Sequence, residues 1–176
     1  IYADRFSYDE IRFGNGIVYK QIEILLGWYY YNAWVYSNAN QCIFSTIKVH
    51  DSIYFNFAGE KNIIKNMLLT DGGSIYNANG ITDTLISKGS ASIGGSEYQF
   101  NYLEVSGDLG ISKMVSINNL KILKNNSTLT ISSGDTLFIN NRIQFNVDCN
   151  HWNNIKSSVS GSSAYIHLPD SNFAVE

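Results

Sequence analysis

Residues 103–147, LEVSGDLGISKMVSINNLKILKNNSTLTISSGDTLFINNRIQFNV, decide the fold, because short apolar stretches recur there at nearly equal intervals. Leu103, Leu120 and Leu137 mark one beat; Ile111, Leu129 and Val147 mark a second, offset from it. Extended in both directions, the first ladder reads Leu68, Leu85, Leu103, Leu120, Leu137, Ile155, in steps of 17 or 18 residues. The second reads Ile75, Ile93, Ile111, Leu129, Val147, Tyr165, in steps of 18. Self-similarity at a short fixed period is the mark of a solenoid, in which each coil stacks on the one before. Ordinary globular cores have no reason to space their residues so evenly.

Turn signals lie between the apolar stretches: Asp71-Gly72-Gly73, Gly94-Gly95, Gly107-Asp108, Asn118-Asn119, Asn125-Asn126, Ser133-Gly134-Asp135 and Asn140-Asn141. Gly and Asn reach positive φ most cheaply, and every coil needs sharp corners. The expected architecture is all-β, a parallel β-solenoid in which the right-handed β-helix is favoured. A six-residue series through Val105, Ile111, Ile117, Leu123 and Leu129 keeps a left-handed hexapeptide helix as an alternative, although it breaks at Gln99, Asp135 and Asn141. A β-sandwich is the third option, since evenly spaced short strands also build one. Residues 61–176 are read as solenoid with coils of about 17–18 residues. Residues 1–60 lack the clear beat and form an aromatic-rich β segment or the first coils.

The chain has 176 residues, 44% apolar, 14% aromatic and 15% charged, with a single Pro and a net charge of −3. High aromatic content favours strands, and scarce Pro suits an uninterrupted ladder. Twelve Lys and Arg are scattered, so no basic run neutralises a row of phosphates and nucleic acid is not an expected partner. The longest apolar candidate for a membrane span, Ile22 to Val35, is interrupted by Glu23, Gly27 and Asn32. Opening on Ile1 without Met, the chain reads as a mature or excised fragment.

Cys42 and Cys149 are separated by 107 residues, about six coils. At about 4.8 Å per coil their thiols would lie about 29 Å apart, whereas a disulfide needs Cα atoms within about 7 Å. Both are therefore expected unbonded, packed as small apolar groups.

The stretch STLTISSGDTLFINNRIQF (127–145) is followed by Cys149, Trp152, Ile155-Lys156-Ser157, Gly161 and Ala164. This resembles the repeat of large secreted surface proteins of Bacteroidetes, including adhesins associated with gliding and the type IX secretion route. In those proteins a β-helical stretch leads to a Cys, an apolar residue, an I-x-S tripeptide, then G-x-x-A and a closing strand. The resemblance covers about residues 66–176. A weaker echo follows Cys42 at Ile47-Lys48, without the G-x-x-A. The resemblance implies a secreted or cell-surface, passive stalk or adhesive segment, whose partners are other segments of the same assembly or a surface polysaccharide. It carries over no catalytic residues.

β-Solenoids also serve as carbohydrate-active enzymes and phage tailspikes, which set two or three carboxylates on adjacent coils. Asp71, Asp108 and Asp135 sit beside glycines, where Asp satisfies a turn backbone. Glu104 is the outlier, pointing outward between Leu103 and Val105. Its equivalents one and two coils later are read as Lys121 and Phe138, so a cross-rung pair with Lys121 is expected. His50, His151 and His167 are too dispersed for a metal spacing, and no phosphate loop or cofactor motif occurs. The binding candidates are Trp28, Tyr30 and Trp34 in the run Trp28 to Tyr36, since amphipathic rings stack on sugar faces and anchor interfaces. A packed cap or domain junction accounts for the same cluster. The expected role is a non-catalytic extracellular structural or adhesive segment. The alternatives are a carbohydrate-active enzyme or tailspike fragment, and a polymer-forming filament subunit. Apolar coils left uncapped at both ends would favour the last.

Overall fold

Successive apolar stretches pair in parallel, each with the stretch one coil away, and the result is a parallel β-solenoid. The computed structural model describes residues 2–3, 8–10, 13–26, 33–38, 40–50, 53–146, 151–169 and 174–175, and among these only strands, turns and bends occur. Three stacks of strands build the coil. One runs through Ala33–Ser37, Ile53–Phe57, Gly73–Asn77 and the first half of Ala91–Val105. The other two follow the first and second halves of Ile43–Val49, Ile63–Leu69 and Ile81–Ser87, then continue into Ala91–Val105, Leu109–Ile122 and Thr136–Phe145. Strands upstream of residue 60 share these sheets: Tyr8–Glu10 pairs with Ala33–Ser37, and Ile22–Leu26 with Ile43–Val49.

Parallel register stacks like on like. Ile47, Met67, Leu85, Leu103, Leu120 and Ile143 form one inward column, and Phe55, Ile75, Ile93, Ile111 and Ile131 another. All of these side chains are buried. At about 1.5–3 kcal/mol per buried aliphatic side chain, a single coil gains too little to order itself. Stacked coils share that gain, which is why the fold is repetitive.

The even beat holds only in the middle of the molecule. Leu85 pairs with Leu103 and Leu103 with Leu120, and Ile75, Ile93 and Ile111 pair in turn. Beyond them the coils lengthen: Leu120 pairs with Ile143 and Ile111 with Ile131. Leu137, expected above Leu120, is buried but stacks on Val115; Ile155 stacks on Leu129, and Tyr165 on Thr136. Leu68 yields its inward place to Met67. Coil length therefore departs from the expected 17–18 residues, standing at 25 between Ile22 and Ile47 and rising from 26 between Leu129 and Ile155 to 32 between Arg142 and Ala174. The added residues fall in turns such as Asn125–Ser127 and Ser133–Asp135. Corners absorb insertions cheaply, while the alternation within each strand keeps the core residues inside.

The interior is not wholly apolar. Cys42 is free and buried, its thiol donating to the Gly14 carbonyl at 3.0 Å; Cys149 lies outside the described residues. Buried Asn62 accepts from the Cys42 amide at 3.1 Å and donates to the Gly59 carbonyl at 3.0 Å. Tyr98, among the largest fully buried side chains, meets Thr82 Oγ1 at 2.5 Å. Burial pushes its phenol well above the ordinary range.

Candidate functional surface

Three outward features are candidates for function, and the first follows a corner of the coil. Where the second stack turns into the third, inward and outward residues stop alternating and two consecutive side chains face out. In Ile63–Leu69 these are Lys65 and Asn66, between buried Ile64 and Met67. The register skips at this corner: Thr82 aligns with Phe100 and Thr84 with Tyr102, passing over Asp83 and Asn101. Side chains take up the pairing there. Lys65 Nζ reaches Asp83 at 2.8 Å; Asn101 donates to Asp83 at 2.9 Å, Asn118 to Asn101 at 3.0 Å, and Asn140 to Asn118 at 2.9 Å. Beside this chain Asn141 donates to Asn119 at 2.7 Å, and Asn119 to the Asn101 carbonyl at 3.1 Å. An amide both donates and accepts, so a stacked Asn column satisfies itself rung after rung. Sequence reasoning read Asn118-Asn119 and Asn140-Asn141 only as turn signals and gave Asn101 no role, yet Asp83, Asn101 and Asn118 recur at the coil period.

The second feature is a charged strip on the third face. Glu23 accepts from Lys48 at 3.1 Å and lies 2.7 Å from His50, contacts that hold its carboxyl below the usual range. Further along, Glu104 accepts from the Tyr102 hydroxyl at 2.6 Å and from Lys121 at 3.1 Å. The Tyr102 hydrogen bond, with help from Lys121, keeps Glu104 below its ordinary value, whereas partial burial and the neighbouring carboxylate push Tyr102 up to about 12. The expected Glu104–Lys121 pair is therefore formed across one rung. Two coils on, the register places Gln144 rather than Phe138 in this column, because the intervening coil is longer.

The third feature is the pair of coil ends. Ile17 and Val18 are exposed on the first described coils, and Trp152, Ile155, Val159, Tyr165 and Leu168 on the last. Among the residues whose side chains are described, only Ile81 and Met114 are large, apolar and exposed elsewhere. Ile155 continues the buried Leu109–Leu129 column, yet half of its surface is open.

Two of the turn carboxylates hold coils together. Asp108 accepts from the Thr128 amide of the next coil at 2.8 Å and Asp135 from the Lys113 amide of the preceding one at 2.6 Å. Asp71 accepts from the Thr70 hydroxyl at 2.9 Å. Among the described residues no three His, Cys, Asp or Glu side chains converge as metal ligands, and no helix is long and apolar enough to cross a membrane. Trp28 and Tyr30 lie outside the described residues. Trp34 is placed by its backbone alone, in Ala33–Ser37, aligned with Tyr8 on one side and Tyr54 on the other. Comparison with family models, curated proteins and solved structures finds no match to this chain.

Proposed function

We propose that this chain is a non-catalytic, extracellular β-solenoid segment of a large repetitive surface protein, of the adhesive Bacteroidetes type that its C-terminal pattern resembles. The observation that carries the reading is the outward corner, a ladder of amides from Asn101, Asn118 and Asn140 ending on the single carboxylate of Asp83; the exposed apolar side chains add to it. They concentrate on the first and last described coils, where, among the described residues, the strand Asn154–Ser157 also pairs on one side only. A part that extends by stacking further coils needs such ends, and other segments of the same assembly are the natural occupants. The carboxylates support the passive role, because Asp83, Glu104, Asp108 and Asp135 each hold neighbouring coils together. The test incubates the purified chain with soluble and insoluble polysaccharides and measures retention and reducing-end release together. The passive reading expects no cleavage. Cleavage abolished by Glu104→Gln or Glu97→Gln would replace it with a carbohydrate-active enzyme.

The same ends favour a second reading, a filament subunit that stacks copies head to tail in a heterologous contact. Sedimentation velocity separates the two. Mass rising with concentration, and lost in Ile155→Asp, supports the filament; a concentration-independent monomer supports a segment within a longer stalk.

A further inference from the structure

We propose that a notch on the second face, centred on Ser116, seats one unit of a neutral glycan. The register sets Gln99, Ser116, Phe138 and His167 in one outward column on successive rungs. Ser116 is the small member of this column, so a gap opens between Gln99 and Phe138, two rungs or about 10 Å apart. The gap is a notch of about 260 Å³ lined by Glu97, Gln99, Met114, Ser116 and Phe138. Its Phe138 wall lies one rung before the last described strand of this stack, Tyr165–His167, and Met114 is exposed beside it.

The lining has two chemical sides. Phe138 and Met114 form an apolar wall, and the far side of the Phe138 ring is buttressed by His167, with ring centroids 5.2 Å apart. The Glu97 carboxylate and the Gln99 amide supply the polar lining. The Ser116 Oγ accepts from Asn140 at 2.9 Å and keeps its own proton to donate. An aromatic wall with a few donors and acceptors suits a sugar ring, which presents C–H groups on one face and hydroxyls at its edge. The strand Leu109–Ile122 is paired on both sides, so a peptide cannot enter by adding a strand. The lining carries one carboxylate and no cation, which disfavours uronates and sulfated sugars. The proposal deepens the adhesive reading and rests on it.

The test titrates ¹⁵N-labelled chain with cellohexaose, xylohexaose, mannohexaose and hexagalacturonate, following amide shifts. At least one neutral hexasaccharide should give saturable shifts centred on residues 97–99, 114–116 and 138. Phe138→Ala, and separately Ser116→Gln, which fills the notch while keeping the column, should weaken binding about tenfold, the loss of one aromatic contact. Amide spectra of the free variants report whether each is folded. The proposal fails if no neutral sugar shifts these amides at millimolar concentration, if both variants bind as the parent does, or if only hexagalacturonate binds. Reducing ends released alongside notch binding would support the seat but overturn the passive role.

Discussion

Asn140 donates its side-chain amide to Asn118 at 2.9 Å across one coil, and Asn118 in turn donates to Asn101 at 3.0 Å. The column ends at Asp83, which also receives Lys65, so a single carboxylate terminates a run of amides. Each member bridges two coils at the corner where the backbone register skips.

The column predicts a sharp asymmetry between two substitutions. Asn118→Ala removes exposed hydrogen bonds worth about 0.5–1.5 kcal/mol each at most, so the urea midpoint should fall modestly. Asn101→Asp replaces the donor facing Asp83 with a second carboxylate, and should cost more than Asn118→Ala at pH 7. That excess should shrink on acidification, as one of the two carboxylates takes up a proton. An Asn101→Asp midpoint that is independent of pH would contradict the ladder.

Buried Tyr98 offers a second test. Tyr98→Phe leaves Thr82 Oγ1 without its 2.5 Å partner inside the coil, which should cost about 1–3 kcal/mol by denaturant unfolding. Adding Thr82→Val removes the stranded hydroxyl and should restore part of the loss. Equal destabilisation in the single and double variants would show that the bond contributes little.

The Tyr102–Glu104–Lys121 group makes stability depend on pH at both extremes. Glu104 titrates lower in the folded chain than its ordinary value of 4.5. It therefore stabilises above that value, and the contribution is lost as pH falls through the lowered folded value. Tyr102 moves the other way, from 10 to about 12. Its contribution is present below pH 10 and disappears as pH rises toward 12. Glu104→Gln should flatten the acid limb of a stability–pH curve and Tyr102→Phe the alkaline limb. Parallel curves for the parent and both variants would remove this group as their source.

Two glycines with positive φ separate backbone conformation from space. At Gly134, φ is +81° and a methyl group would meet nothing within 4 Å, so Gly134→Ala should cost only the left-handed backbone penalty, about 1–2 kcal/mol. At Gly72, φ is +95° and the methyl would lie 2.2 Å from the Ser90 carbonyl oxygen of the next coil. Gly72→Ala should therefore be clearly more damaging by thermal unfolding. The reverse order would mean that the coils are spaced differently at this turn.

The repetitive, parallel character of the chain was legible in Leu85, Leu103 and Leu120 and in Ile75, Ile93 and Ile111, because local alternation and a constant coil length coincide there. The cross-rung pair of Glu104 with Lys121 was legible for the same reason. Leu137, Ile155 and Tyr165 were assigned to the wrong neighbours, since a periodic reading counts residues whereas a corner can hold extra ones at little cost. From the sequence alone come the preference for strands, the inward face of the central ones and the need for stacking, all of which are properties of neighbouring residues. Tertiary structure decided which coil lies on which, and with it the Asn column, the notch over Ser116 and the open ends. Each of those joins residues on different coils, and only the closed register brings them within reach.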